Sequence, residues 1–190
     1  MPKTAKPGIY TIHAVFGSGP LAGDLEFTGT ADVSTTAVPA GDTRLVGMKL
    51  PEIDPQQWIV GSSADLPSAT GKVTLISFWS TPCVPCIAEF PDLEQAYRRM
   101  KNAGGAVLAL APSTDDVAKC RAIATSHNLA FPIALDSPPD YSGLGETFSV
   151  FSVTNLPRHV VVDRKGSVRY CGASLQDALR VMAHELKEGN

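Results

Sequence analysis

Two cysteines three residues apart, Cys83 and Cys86, stand in the stretch Phe78-Trp79-Ser80-Thr81-Pro82-Cys83-Val84-Pro85-Cys86-Ile87-Ala88-Glu89-Phe90-Pro91. Such a pair serves either reversible dithiol–disulfide exchange or half of a tetrahedral zinc site. Zinc needs four ligands, and no second Cys-x-x-Cys or His-x-His cluster accompanies the first. Pro85 also favours redox chemistry, because a proline fits the first turn of a helix, where its missing N–H is not needed.

The elements that must hold the pair are legible on either side. Val73 to Trp79 is rich in β-branched and aromatic residues and predicts a buried strand. Behind the cysteines, Ile87, Phe90, Leu93 or Glu94, Tyr97 and Met100 recur at helical spacing. The pair therefore caps a helix at a strand end. Free N–H groups and the positive end of the helix dipole face the first sulfur and favour its thiolate. Cys83 is expected to be the exposed nucleophile, and Cys86, one turn in, the buried thiol that attacks a mixed disulfide formed at Cys83. Glu89, three residues on, returns to the face of Cys86. A desolvated carboxylate there can take the proton that Cys86 must lose, or else Glu89 is an exposed first-turn acid serving the dipole.

Asn155-Leu156-Pro157 and Val160-Val161-Val162-Asp163-Arg164-Lys165-Gly166 follow far downstream. Together with Phe-Trp-x-x-x-Cys-x-Pro-Cys-x-x-Glu-Phe-Pro, they make the chain resemble the thioredoxin-like thiol:disulfide oxidoreductases of the TlpA and ResA group, over residues 46–190. Pro82 stands where that group usually has tryptophan, and Arg158-His159 replace its usual pair of threonines. Both positions flank the reactive sulfur and bear on substrate preference and potential, not on the reaction type.

The resemblance implies an α/β thioredoxin fold, a central mixed β-sheet flanked by helices, here with an N-terminal β-hairpin extension. It implies a cis Pro157 against the cysteines, a catalytic set of Cys83, Cys86, Glu89 and Pro157, and a backbone at Leu156 free to pair with an extended substrate. Trp79, Pro82, Leu156 and Arg158 make up the expected substrate-binding face, although Arg158 by itself reads more simply as solvated. No bound cofactor is required. Partners would be proteins bearing cysteine thiols or disulfides, with a membrane reductase recharging the enzyme, and the group's reductants set the expected direction. Two rival readings use the same residues. In a peroxiredoxin-like peroxidase, Thr81 has the right spacing ahead of the reactive cysteine but Cys86 stands too close behind. A copper-binding module would use Cys83, Cys86 and His159, although such relatives space their cysteines by three.

The chain has 190 residues, 44% hydrophobic and 18% charged, enough for one domain with an extension. A net charge of −3 with scattered basic residues leaves no footprint for nucleic acid. No apolar segment approaches the roughly 18 residues that span a bilayer. The amino terminus has the charge of an export signal without the apolar run behind it. The family resemblance favours an extracytoplasmic, tethered protein whose signal or anchor lies outside this sequence; a cytoplasmic one is the alternative.

Residues 1–45 are expected to be a hairpin, Ile9 to Phe16 against Leu25 to Val33, with a linker from Thr35 to Asp42; residues 46–190 form the thioredoxin-like domain. In that domain Gln57 to Val60 reads as a short strand, with Trp58 plugging the core. Ala106 to Ala111 is a strand covered on both faces. A helix from about Thr114 to His127 is expected with Thr114 as N-cap. Phe131 to Leu135 reads as an edge strand and Tyr141 to Phe148 as a short helix. Val160 to Val162 and Val168 to Tyr170 form a hairpin, and a last helix runs from Ser174 to Gly189. Cys120 and Cys171 read as small core residues, His159 as either a neighbour of the sulfurs or a filler of the sheet face, and His13, His127 and His184 lack ligand spacing.

Overall fold

A computed structural model of the chain describes residues 12–14, 25–27, 42–66, 71–139 and 143–188. Two compact units divide at Met1–Val38 and Pro39–Asn190. In the first, strands β1 (Ile12–Ala14) and β2 (Leu25–Phe27) pair antiparallel, with Ile12 opposite Phe27 and Ala14 opposite Leu25. The rest of the expected hairpin, most of the expected linker, Tyr141 and Gly189 lie outside the described residues.

The second unit is built on a six-stranded mixed sheet. Its strands are β3 (Gln57–Val60), β4 (Val73–Phe78), β5 (Gly105–Ala111), β6 (Ile133–Leu135), β7 (Arg158–Val162) and β8 (Val168–Gly172), in the order β3-β6-β5-β4-β7-β8. β4, β5 and β6 run parallel, while β3 and β7 pair antiparallel to β6 and β4, and β8 antiparallel to β7. Every residue of β4 and β5 is buried. Continuous apolar strands of this kind need cover on both faces, and they have it.

One face carries Leu75, Trp79, Val107, Val161 and Tyr170, packed against α1 (Val84–Ala88), α2 (Phe90–Met100), α3 (Val117–Ser126) and α5 (Leu175–Glu188) through Cys86, Phe90, Leu93, Cys120, Ala178 and Met182. The other carries Ile76, Phe78, Leu108, Leu110, Val160 and Val162, covered by Phe148 of α4 (Glu146–Val150), by Phe151 and by the lead-in residues Leu45, Met48, Leu50, Ile53 and Trp58.

Three expectations are corrected. The helix after β5 starts at Val117 with Asp116 as N-cap, because the Asp116 carboxylate accepts the Lys119 N–H at 2.9 Å. Residues 112–115 are thereby left as a loop. β6 is interior, since Gln57–Val60 adds outside it by pairing Trp58 with Ala134. Asp42, expected as the end of the linker, lies on the second unit: its N–H donates to Cys171 O at 2.6 Å, and beyond it Gly47 and Met48 exchange backbone bonds with Val168.

Asp136, at the end of β6, is buried and accepts from Thr147 Oγ1 at 2.7 Å and from the N–H groups of Phe148 and Ser137, both at 3.0 Å. Burial pushes its carboxyl above the ordinary range, against the pull of these donors. The junction is closed by Gly145, where a Cβ would collide with the Asp136 carboxylate and its Cβ. Gly145→Ala is therefore expected to destabilise the fold by about 1–3 kcal/mol, read as a lowered denaturation midpoint at unchanged slope.

Candidate functional site

β4 ends at Phe78, and Trp79 to Cys83 turn the chain into α1. Cys83 is the N-cap: its sulfur accepts the Cys86 N–H at 3.3 Å, and its own N–H donates to Ser80 O at 3.0 Å. The two cysteines are joined in a disulfide with Cα atoms 5.3 Å apart. Cys83 is half-buried and Cys86 buried, while Val84 between them is 75% exposed. An attacking sulfur can thus approach the outer atom and not the inner one. Pro85 sits in the first turn of α1, as its chemistry allows.

The helix behind the cysteines is two helices. α1 stops at Glu89 and α2 begins at Phe90, with Pro91 in its first turn, so Glu89 occupies the joint and not a continuous helical face. Its side chain reaches the sheet: Glu89 Oε2 lies 3.2 Å from Nε2 of His159. His159 is fully buried on β7, directly opposite Ser77 of β4. The Leu156–Pro157 peptide bond is cis, and Pro157 stands immediately before β7. Leu156 is half-buried and packs against both halves of the core.

Two members of the expected substrate face are placed elsewhere. Trp79 is fully buried, its ring edge-to-face with Phe90 at 5.0 Å, so it supports the loop from below and has no surface for a substrate. Arg158, read as solvated or substrate-facing, is turned inward: it lies 3.6 Å from Asp42 and beside the Cys171 thiol. The Arg44 guanidinium holds the Asp42 carboxyl down at about 2, and Arg158 adds to the pull. Pro82 is exposed and, with Thr81, Lys119, Ala122 and Ile123, lines an open groove of about 310 Å³ beside the cysteines.

One contributor and one pairing escaped the sequence. Asp115 accepts the Thr81 N–H at 2.7 Å, which ties the cysteine loop to the segment ahead of α3 across 34 residues. His159 and Glu89 were each legible as candidates, but nothing in spacing pairs residues on a helix joint and a distant strand. Among the described residues, no three His, Cys, Asp or Glu side chains come together to hold a metal ion.

The remaining cysteines are buried, Cys120 in α3 and Cys171 in β8. Burial pushes the Cys120 thiol up to about 12 and raises that of Cys171 as well. Iodoacetamide at neutral pH, applied to the reduced folded protein, is expected to modify Cys83 first and to leave Cys120 and Cys171 intact until denaturant is added. Peptide mass mapping checks this.

The sheet order and the cysteine pair at a strand–helix junction define a thioredoxin-like α/β protein with a dithiol–disulfide centre. The chain belongs to the AhpC/TSA family, which it matches over residues 46–171. It is 30% identical over 108 residues to the thiol-disulfide oxidoreductase ResA of Bacillus thuringiensis subsp. konkukian (strain 97-27), covering 57% of this chain and 58% of that protein. It is likewise 30% identical over 110 residues to the thioredoxin-like protein YneN of Bacillus subtilis (strain 168), covering 57% and 61%. The match therefore spans under two thirds of either relative's length. In fold, it is similar to a thiol-disulfide isomerase from Corynebacterium glutamicum, with a TM-score of 0.63 at 18% identity over 72% of this chain and 95% of that one. A thiol:disulfide interchange protein from Bacteroides sp. superposes with a TM-score of 0.62 at 18% identity over 75% and 90%. No helix among the described residues is long and apolar enough to cross a membrane.

Proposed function

We propose that this protein is a thiol:disulfide oxidoreductase that reduces disulfides of partner proteins. The observation that carries the reading is the asymmetry of the cysteine pair: an accessible sulfur capped by an N–H donor at a helix start, bonded to a buried sulfur one turn in. In the reduced protein, the Cys83 thiolate attacks a partner disulfide. One partner sulfur leaves with the electron pair and takes a proton, and a Cys83–partner disulfide remains. Cys86 then loses its proton to Glu89 and attacks Cys83 sulfur. The Cys83–Cys86 bond forms, the partner's second sulfur leaves as thiolate, and two electrons have passed to the partner.

The cis Leu156–Pro157 segment leaves the residue 156 backbone to align an extended partner chain, and exposed Pro82 borders the groove that would take its side chains. Recharging falls to a membrane reductase, and the working compartment is extracytoplasmic, as the resemblance of the cysteine and proline motifs to the TlpA and ResA group implies.

The test is reduction of an insulin or peptide disulfide by the reduced protein, with the midpoint potential of the Cys83–Cys86 couple measured against glutathione. A value near about −270 mV supports the reductant reading, and one near about −120 mV replaces it with an oxidant. Rapid turnover of hydrogen peroxide by a Cys86→Ser variant would instead favour a thiol peroxidase, whose reaction needs only Cys83 for its first step.

A further inference from the structure

Where the Glu89 side chain meets the sheet, an apolar layer carries a polar spot. His159 is fully buried between Ser77 of β4 and Gly172 of β8, and neither of its ring nitrogens has a hydrogen-bond partner. Glu89 Oε2, 3.2 Å from Nε2, is also buried without a hydrogen-bond partner. Buried polar atoms are rarely left this way, and packing alone would be better served by an apolar side chain. Two facing groups that each gain or lose a proton, both short of a partner, are suited to hand a proton between them.

We propose that His159 is a positioning residue for the proton step at Cys86, acting through Glu89. The inference rests on the exchange chemistry proposed above and concerns the control of that same site. When Cys86 attacks, its S–H proton passes to Glu89. The Cys86–Cys83 bond forms while the Cys83–partner bond breaks, and the partner sulfur departs with the electron pair. His159, neutral with its proton on Nδ1, then takes the proton at Nε2 and leaves an imidazolium against the Glu89 carboxylate, so Glu89 is reset as a base without releasing its proton directly to water.

The surroundings leave Glu89 as the group His159 answers to. From β4, Leu75, Ser77 and Trp79 share its face, and none titrates in the working range. From β8 comes Tyr170, whose phenol burial raises further and which stays neutral. α1 supplies Cys83 and Cys86, and α5 supplies Asp177, which is bonded to Arg180. Arg158, the neighbour of His159 on β7, lies on the opposite face against Asp42.

The decisive measurement needs no substrate. The ring carbon shifts of labelled histidines in the reduced full chain are followed against pH, in the natural protein and in Glu89→Gln. The proposal expects the His159 resonance to titrate, with a lower midpoint in Glu89→Gln, because the carboxylate that favours the imidazolium is gone. An unchanged midpoint, or no titration in either protein, would overturn it.

The second measurement is the rate at which Cys86 resolves a Cys83–peptide mixed disulfide across pH. His159→Gln is expected to slow it about 10-fold and to change the shape of its pH profile. The double variant Glu89→Gln/His159→Gln is expected to be no slower than Glu89→Gln alone. A His159→Gln profile that superimposes on the natural one, or additive losses in the double variant, would refute the coupling. Where His159→Gln does not fold, the titration decides, since it leaves His159 in place. If no mixed disulfide forms even with the natural protein, the oxidoreductase reading fails, and the titration still reports separately whether His159 and Glu89 are coupled.

Discussion

Cys86→Ser is expected to lower catalytic disulfide exchange by at least about 10³-fold while leaving the first chemical step intact. The half-exposed Cys83 sulfur and its N–H donor remain, since the Cys86 N–H is a backbone group and survives the substitution. The variant still attacks a partner disulfide, but no second sulfur lies one turn in to expel the partner. A covalent Cys83–partner adduct should therefore accumulate, visible by intact mass and by its release with dithiothreitol. Cys83→Ser removes both the exchange and the adduct. Equal activity of Cys86→Ser and the natural protein over many turnovers would show that Cys86 is not the resolving thiol.

The largest expected loss of stability comes from Phe78→Ala. Phe78 ends β4 and is fully buried on the face opposite the cysteine helix. Its ring meets Phe148 edge-on at 4.8 Å and Phe151 at 5.8 Å. Truncation leaves a cavity that the hydrogen-bonded strands on either side cannot collapse into, since Phe78 is paired with Leu110 and with Arg158. The expected cost is about 3–5 kcal/mol, a large share of the 5–15 kcal/mol typical of a folded domain. In guanidinium chloride the midpoint should fall by about 1 M. Val150→Ala, at a position 40% exposed, is the control and should shift stability by less than about 0.5 kcal/mol. Equal effects at the two positions would contradict the core assigned to this face.

Local chemistry wrote much of the molecule directly into the chain. The cysteine pair, its placement between a buried strand and a helix, and the proline in the helix's first turn follow from residue type and spacing, because strand and helix periodicity and cap chemistry act over a few residues. The apolar runs Val73 to Phe78 and Ala106 to Ala111 announced central strands because both of their faces needed cover. The burial of Cys120 and Cys171 was readable in the same way.

Other features belong only to the folded chain, because they join residues far apart in sequence. Which strand is the sheet edge depended on β3 adding outside β6, a pairing across more than 70 residues that periodicity does not encode. The start of α3 turned on whether Thr114 or Asp116 capped it; Asp116 did, and Asp115 was left to hold Thr81. Trp79 looked like a binding residue beside the cysteines, but strand alternation in the assembled sheet aims it at Phe90. Arg158 found Asp42, and His159 found Glu89, only when β7 was laid against β4. Contacts of that kind are set by the register of strands and the seating of helices, which depend on the whole core packing at once. The sequence by itself determined the reacting atoms and the elements carrying them, whereas tertiary structure alone decided which buried groups face them.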